Sequence, residues 1–290
     1  MAEVDLTLAR ARASACIEKL CLPLSSRTWR GQAGEFAGAG VGSSIDFQDH
    51  RNYVPGDDPR HINWQAYART GAYTMKLYRE EVRPVVDVLL DVSPSMFFDD
   101  GKAQRVAEVF YTVALSALQS GASLVVHLVS GNEVRKLSHE LIGGEQWWKI
   151  AQEMSAGSEV PAVSQVRLRG NAIRVWISDC LFAGDPAPLI RRLSSQQGSL
   201  IVLSPFCPSE ADPDWSGNYE FVDAEAGSKH PHCIDHQALE NYKQTYINHF
   251  RVWQESARRY QAAFARVDSE SDLFAALLSE AVPNGGLQLK

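Results

Sequence analysis

The stretch VVDVLLDVSPSMFFDDGK, residues 85–102, decides how the chain is read. Val85, Val86, Val88, Leu89 and Leu90 form a short apolar run with the length and composition of a buried strand. The run stops on Asp91. Two hydroxyls follow at two-residue spacing, Ser93 and Ser95, with Pro94 between them restricting the loop. A near-continuous apolar strand belongs to a sheet covered on both faces, and this one ends on polar side chains.

The pattern repeats outward from that strand. KAQRVAEVFYTVALSALQSG reads as an apolar-rich helix closed by Gly121, ASLVVHLVS as a second strand and EVRKLS as an edge strand. GGEQWWKIAQEM is a predicted helix, NAIRVWISDCLF a third central strand, PAPLIRRLSSQQG a helix, SLIVLSPF a fourth strand and YEFVDAE a fifth. A long helix from Gln237 to Tyr260, a last strand over Ala262–Val267 and a closing helix in SESDLFAALLSEAV complete the chain. The closing helix starts on Ser269-x-x-Asp272, close to a capping box. Strands alternating with helices predict an α/β fold with a mostly parallel sheet flanked by helices.

The character changes before Pro84. A helix is expected over Val4–Leu20. WRGQAGEFAGAGVGSSIDF, residues 29–47, is too rich in glycine for a helix interior and predicts turns or short strands. RNYVPGDDPRHINWQAYARTG follows at residues 51–71, and then AYTMKLYREEVRP, which alternates like a strand. The expected organisation is a smaller Gly-rich, β-leaning segment over 1–84 and an α/β domain over 85–290.

Composition narrows the function classes. The chain has 290 residues, 45% hydrophobic and 22% charged, enough apolar material for a sizeable core. A net charge of −7 argues against a general nucleic-acid binder, which needs a basic face. No apolar run reaches about 18 residues, so no membrane insertion is expected. MAEVDLTLARARASACIEKLC lacks a basic start followed by an apolar core, so no secretory signal is expected. The five cysteines are an odd number with no CxxC, which fits free thiols in a reducing cytoplasm.

In open α/β sheets, ligands sit beyond the carboxyl ends of the strands. Asp91, Ser93 and Ser95 stand there on one strand. Asp179, in WISDCL, stands at the end of another strand expected to be central. Two carboxylates and two hydroxyls are a hard-oxygen set, suited to a cation such as Mg²⁺ that takes one or two carboxylates and keeps several waters. The competing reading makes the Asp–Ser loop the cap of the next helix.

DVSPS resembles the DxSxS signature of von Willebrand factor A domains, and the order of elements after Val85 resembles that fold. The resemblance implies a metal-ion-dependent adhesion site built from Asp91, Ser93, Ser95 and Asp179, holding Mg²⁺ with Mn²⁺ as a substitute. The family usually adds a loop Thr. In LIGGEQWWKI the Gly143–Gly144 pair resembles its Gly-Gly-Thr, with Glu145 in the Thr position. The resemblance therefore implies a site that is weak, altered or vestigial if that Thr matters.

A second motif is longer. GAGVGSSIDFQDHRNYVPGDDPRHINWQAYARTG resembles the segment that precedes the A-like domain in a large bacterial family, domain of unknown function 58. The matching positions are Asp46, Phe47, Arg51, Tyr53, Gly56, Asp57, Asp58, Arg60, Ile62, Asn63, Trp64, Ala68 and Arg69. That resemblance implies an adaptor without catalytic activity, working beside a MoxR-type AAA+ ATPase in chaperone-like assembly or cofactor insertion. Read on its own residues, GDDPRHINW is turn chemistry flanked by Arg51 and Arg60, which can pair bidentately with Asp57 and Asp58. Trp64 and Tyr53 are expected to bury against a domain face. The segment is a structural clasp or a docking surface.

Other motifs weigh less. HPHCIDH, residues 230–236, has metal-ligand types, but a turn, a strand and a helix start are expected there, with Asp235 as the N-cap. A haloacid-dehalogenase-type phosphotransferase would want an acid where Ser93 stands. No GxxxxGK[ST] or GxSxG occurs. Adjacent Trp147 and Trp148 are expected to split, one on the core and one near the surface. Three readings result: a cytoplasmic adaptor whose Mg²⁺ is completed by an acidic residue of a MoxR-type ATPase or of an unknown protein client; a metal-free interaction module; and a metal-dependent phosphatase using Asp91.

Overall fold

The computed structural model describes residues 4–24, 33–41, 47–154, 160–224 and 227–290. Two compact units divide the chain, Leu24–Pro84 and the remainder, residues 1–23 with 85–290.

Helix α1 (Leu6–Ile17) and the two-residue strand β1 (Leu20–Cys21) come first. The smaller unit holds strands β2 (Ala33–Val41) and β3 (Phe47–Asn52), helix α2 (Trp64–Thr70) and strand β4 (Thr74–Val82). These strands form an antiparallel sheet in the order β2-β4-β3, with register shifts in both pairings. The Gly-rich passage thus contributes one nine-residue strand. Asp46 lies outside the described residues.

The larger unit runs β5 (Val85–Asp91), α3 (Asp100–Gln119), β6 (Ser123–Ser130), β7 (Glu133–Leu137), α4 (His139–Ile142), α5 (Gln146–Glu153), β8 (Ile173–Ile177), α6 (Ala187–Leu193), β9 (Ser199–Phe206) and α7 (Pro208–Ala211). After these come β10 (Gly217–Val222), β11 (Lys229–Ile234), α8 (His236–Arg259), β12 (Ala263–Asp268), α9 (Leu273–Ala276) and β13 (Gln288–Leu289). Six strands make one sheet in the order β12-β9-β8-β5-β6-β7, all parallel except the edge strand β7. The strand that opened the reading is central, and Val86 through Asp91 are buried. On one side Leu89, Trp176 and Val202 pack with Phe250, Trp253 and Phe264. Helix α3 supplies Val106, Val109, Phe110 and Val113 to the core.

Helix α3 explains why the N-terminal helix belongs with the larger unit instead of with the segment before Pro84. Glu108 and Ser116 lie on α3 and are buried, so they need polar cover. Residues 5–22 supply it. Arg12 donates to Glu108 at 2.8 Å, and Leu22 N–H donates to Ser116 Oγ at 2.9 Å. The β1–β13 pairing ties the end of this strap to the far end of the chain.

Three further expectations change. YEFVDAE does not join the main sheet. Its described residues fall in and just after β10, which among the described residues pairs with β11 in a hairpin whose residues are almost all exposed, because an open hairpin needs no apolar face on both sides. The closing helix is capped by Asp272, which accepts from Ala275 N–H, and after Ala276 it widens into a π-turn over Leu277–Ala281. Trp147 and Trp148 are both buried. Trp147 packs against Phe110, and Trp148 packs edge-on against Phe97 at 4.9 Å. The eight-residue α5 is covered on two sides, so adjacent rings find separate partners.

The amino end of β8 carries a second buried polar device. The Arg174 guanidinium, fully buried, donates to the carbonyls of Leu193, Ser195 and Arg169 at 2.5–2.6 Å. Gly198 lies beneath it, and a Cβ there would stand 2.2 Å from Arg174 Nη1. Gly198→Ala should destabilise the protein by about 1–3 kcal/mol, the range for overpacking a closed site. A urea denaturation midpoint equal to wild type would contradict that packing.

Candidate functional site

Adjacent parallel strands deliver the two predicted carboxylates to one rim. Leu90 pairs with Ile177 in the β5–β8 register, so Asp91 and the Ser178–Asp179 pair leave the sheet side by side. Both acids are buried. Asp91 Oδ1 accepts from Ser93 N–H at 3.0 Å, and Oδ2 accepts from Ser178 Oγ at 2.7 Å. The Ser93 and Ser95 hydroxyls lie 3.2 Å apart on the same turn. Asp91, Ser93, Ser95 and Asp179 therefore gather at the carboxyl end of the sheet. The helix after this loop is capped by Asp99, which accepts from Lys102 N–H, so Asp91 does not cap it.

The loop after β8 is held tightly. Cys180 N–H donates to Ser178 Oγ, the Cys180 carbonyl meets His249 Nε2 at 2.6 Å, and Ser204 Oγ donates to the Asp179 carbonyl. Cys180 has φ = 60°, a left-handed conformation that a side chain adopts only under such constraint. Burial pushes its thiol well above the ordinary range, with the Asp179 and Asp91 charges acting the same way.

Lys102 is the residue that sequence reasoning missed. Its side chain is 0% exposed. The ammonium donates to Asp179 Oδ2 at 2.9 Å and to Glu210 Oε1 at 2.8 Å, and the Phe98 ring centroid lies 4.9 Å away. Burial works against its charge, but the Asp179 and Glu210 carboxylates together outweigh burial and hold its pKa above the ordinary lysine value. Glu210 Oε2 accepts from Cys207 N–H, closing a capping box at α7. The sequence FFDDGK shows only a lysine in the first turn, against the helix dipole and beside Asp99 and Asp100, and does not mark its partners on other elements.

The Gly143–Gly144–Glu145 loop, where the resemblance would place a Thr, is tied elsewhere. The Gly144 carbonyl accepts from Tyr111 Oη, and Glu145 Oε1 accepts from Thr7 Oγ1. Asp179 Oδ1 accepts from Leu181 N–H at 3.2 Å. Each carboxylate oxygen of Asp91 and Asp179 accepts one hydrogen bond, and at Asp179 Oδ2 the donor is itself a cation, the Lys102 ammonium. With that ammonium in place and Glu145 where a Thr is wanted, the donor set as folded does not fit a Mg²⁺ site. Beside the rim, Val92, Pro94, Phe97, Phe98, Trp148 and Met154 line a largely apolar cleft of about 380 Å³, and Phe98 is 56% exposed.

In the smaller unit the second motif forms two local ion pairs. Arg51 meets Asp57 bidentately at 2.6 and 2.7 Å, and Asp57 also accepts from Val54 N–H. Asp58 caps the turn Pro59–His61 and accepts from Arg60 Nε and Nη2. The Arg60 bond holds the Asp58 carboxyl down to about 2. Gly56, at φ = 107°, makes the turn that sets this up. Asn63 caps α2, whose Trp64 is 57% exposed rather than buried. Its ring meets Tyr67 and Tyr73 edge-on, and those two stack at 4.4 Å. Tyr53 is half-buried and packs beside Tyr73, while Arg69 is exposed in the last turn of α2. At 230–236, Asp235 caps α8 as expected, and Ser228 Oγ meets His230 Nε2. Among the described residues, no group of three His, Cys, Asp or Glu side chains is placed to hold a metal ion.

Comparison with known proteins gives a family match. The family model described as "Protein of unknown function DUF58" matches residues 49–251. No curated protein matches. Among solved structures, an aerotolerance-related membrane protein from Bacteroides fragilis is 13% identical, with a TM-score of 0.31 over 60% of this chain and 99% of that one. The conserved hypothetical protein BatB from Bacteroides thetaiotaomicron is also 13% identical, with a TM-score of 0.38 over 69% of this chain and 98% of that one. At these TM-scores the two likenesses carry no argument. Among the described residues, no helix is long and apolar enough to cross a membrane.

Burial raises the Asp91 pKa to about 7, with the nearby Asp179 charge adding to it and the Ser178 and Ser93 hydrogen bonds opposing it. An unfolded chain releases that proton near pH 4. Between these values the folded state holds a proton that the unfolded state has lost, so this group's contribution to stability falls as pH rises from about 4 to about 7. In buffer with chelator, Asp91→Asn should remove this component of the stability–pH curve. A curve that keeps its full slope in the variant would place the titration elsewhere.

Proposed function

The chain belongs to the DUF58 family, whose function is unknown, and from that premise and the rim geometry we propose that it is a non-catalytic protein-interaction adaptor. It meets its partner with the carboxyl-end rim of its six-stranded sheet. The observation that carries this reading is the occupied state of the strand-end carboxylates. Asp91 and Asp179 already hold a donor on each oxygen, and Lys102 neutralises the second. Such a buried network fixes the loops that carry the rim. A carboxylate used as a nucleophile or base instead has to reach its substrate directly, and Asp91 is turned inward onto Ser178.

The exposed Phe98 beside an apolar cleft supports the same reading. An aromatic side chain at the edge of a pocket is the usual anatomy of an interface anchor. The partner carried over from the family resemblance is a MoxR-type AAA+ ATPase, together with an unidentified protein client, in the cytoplasm. In that arrangement the ATPase supplies energy and this chain supplies recognition. No role for nucleic acid or membrane insertion is included. Of the two adaptor forms, the ion pairs of Lys102 favour the metal-free one. The gathering of Ser93 and Ser95 beside Asp91 is what favours the other, in which Mg²⁺ bridges to a partner's acidic residue. A phosphatase using Asp91 has less support, because Ser93 stands where the second acid of such enzymes is wanted.

The test is capture of the purified MoxR-type ATPase by immobilised protein, with and without chelator. Phe98→Asp should weaken capture at least about tenfold, the cost of losing one interface anchor, and chelator should change nothing. Capture abolished by chelator and by Asp91→Ala would replace this form with the metal-bridged one. Capture indifferent to Phe98→Asp would remove the rim from the interface.

A further inference from the structure

We infer that Lys102 is a built-in cation: its ammonium takes the electrostatic place of a divalent metal at the strand-end rim and presets that rim in a metal-independent state. The biological meaning rests on the rim being the interaction face, but the substitution itself stands on geometry.

Carboxylates stand near the ends of β5, β8 and β9: Asp91 beside Asp179 on the adjacent strand, and then Asp179 and Glu210 as a pair. The last two share one ammonium, at 2.9 and 2.8 Å. That ammonium has no solvent exposure, and the Phe98 ring lies 4.9 Å from it. Two carboxylates and an aromatic face give a tripod donor three favourable neighbours. A lysine buried this way adds little net stability compared with a well-packed apolar side chain, because desolvation offsets the attraction. Its specific consequence is electrostatic. It joins α3, the β8 loop and α7 at one point, as a bound cation joins separate loops. The rest of the rim agrees. Glu145 turns to Thr7, so the third loop brings no hydroxyl, and Asp179 Oδ1 is held by Leu181 N–H.

Removing the ammonium should leave the Asp179 and Glu210 carboxylates without their cation, with Asp91 on the strand next to Asp179, and a divalent cation can then neutralise the pair. The experiment titrates Mn²⁺, followed by its electron paramagnetic signal, into the full chain as wild type, Asp91→Ala, Lys102→Met and the double variant Lys102→Met/Asp91→Ala. Thermal unfolding is recorded with and without Mn²⁺. Wild type should show no saturable binding below about 1 mM, the weak end of protein sites. Lys102→Met should bind at least tenfold more tightly and be stabilised or refolded by Mn²⁺, and the double variant should lose both effects. Wild-type binding that vanishes in Asp91→Ala would overturn the inference, whether or not the lysine variant folds. So would a Lys102→Met protein that Mn²⁺ neither binds nor stabilises. No partner is present in these measurements, so their failure and the failure of ATPase capture are read separately.

Discussion

The ion pair of Lys102 with Asp179 and Glu210 is the constraint around which the rim is arranged. A charge with no access to water must be matched at close range, and here two carboxylates from different elements match it. The lysine comes from the first turn of α3, Asp179 from the end of β8 and Glu210 from α7. The β8 turn can then hold Cys180 in a left-handed conformation, because Ser178, His249 and Ser204 all bond to that turn. Asp91 in turn faces Ser178 and not open solvent. Each of these positions follows from satisfying buried polar groups.

The sheet was legible because its strands are written twice, once in apolar runs and once in the helices between them. VVDVLLD, SLVVHLVS and SLIVLSPF are long enough, and β-branched enough, to leave little choice. The placement of Asp91 and Asp179 on one rim followed from the rule that places ligands at the carboxyl ends of parallel strands. YEFVDAE misled because its alternation of apolar and polar residues suits an open hairpin as well as a sheet edge. The paired tryptophans misled because the expectation assumed one core face for α5, where two exist. Lys102 was hidden for a different reason. Sequence spacing shows which residues share an element, and this lysine acts between three of them.

The smaller unit shows how much of a long motif can be local. Arg51, Asp57, Asp58 and Arg60 close two ion pairs within ten residues, Gly56 supplies the reversal, and Asn63 starts the helix. The closeness of these four charges predicted a network, without saying which arginine meets which aspartate. The motif did not predict that Trp64 stays largely in solvent, resting its edge on Tyr67 and Tyr73, because burial of a ring depends on what lies across from it.

Helix α3 has a mechanical consequence. Its twenty residues form a rod of about 30 Å. One end is fastened to the rim through Lys102. Along its length it is bolted to Arg12 through Glu108, and near its far end Ser116 holds the backbone of Leu22. Two residues after Leu22 the chain enters the smaller unit. The rim and the segment that leads out of the domain are therefore both held by side chains of one helix, Lys102 at one end and Ser116 toward the other.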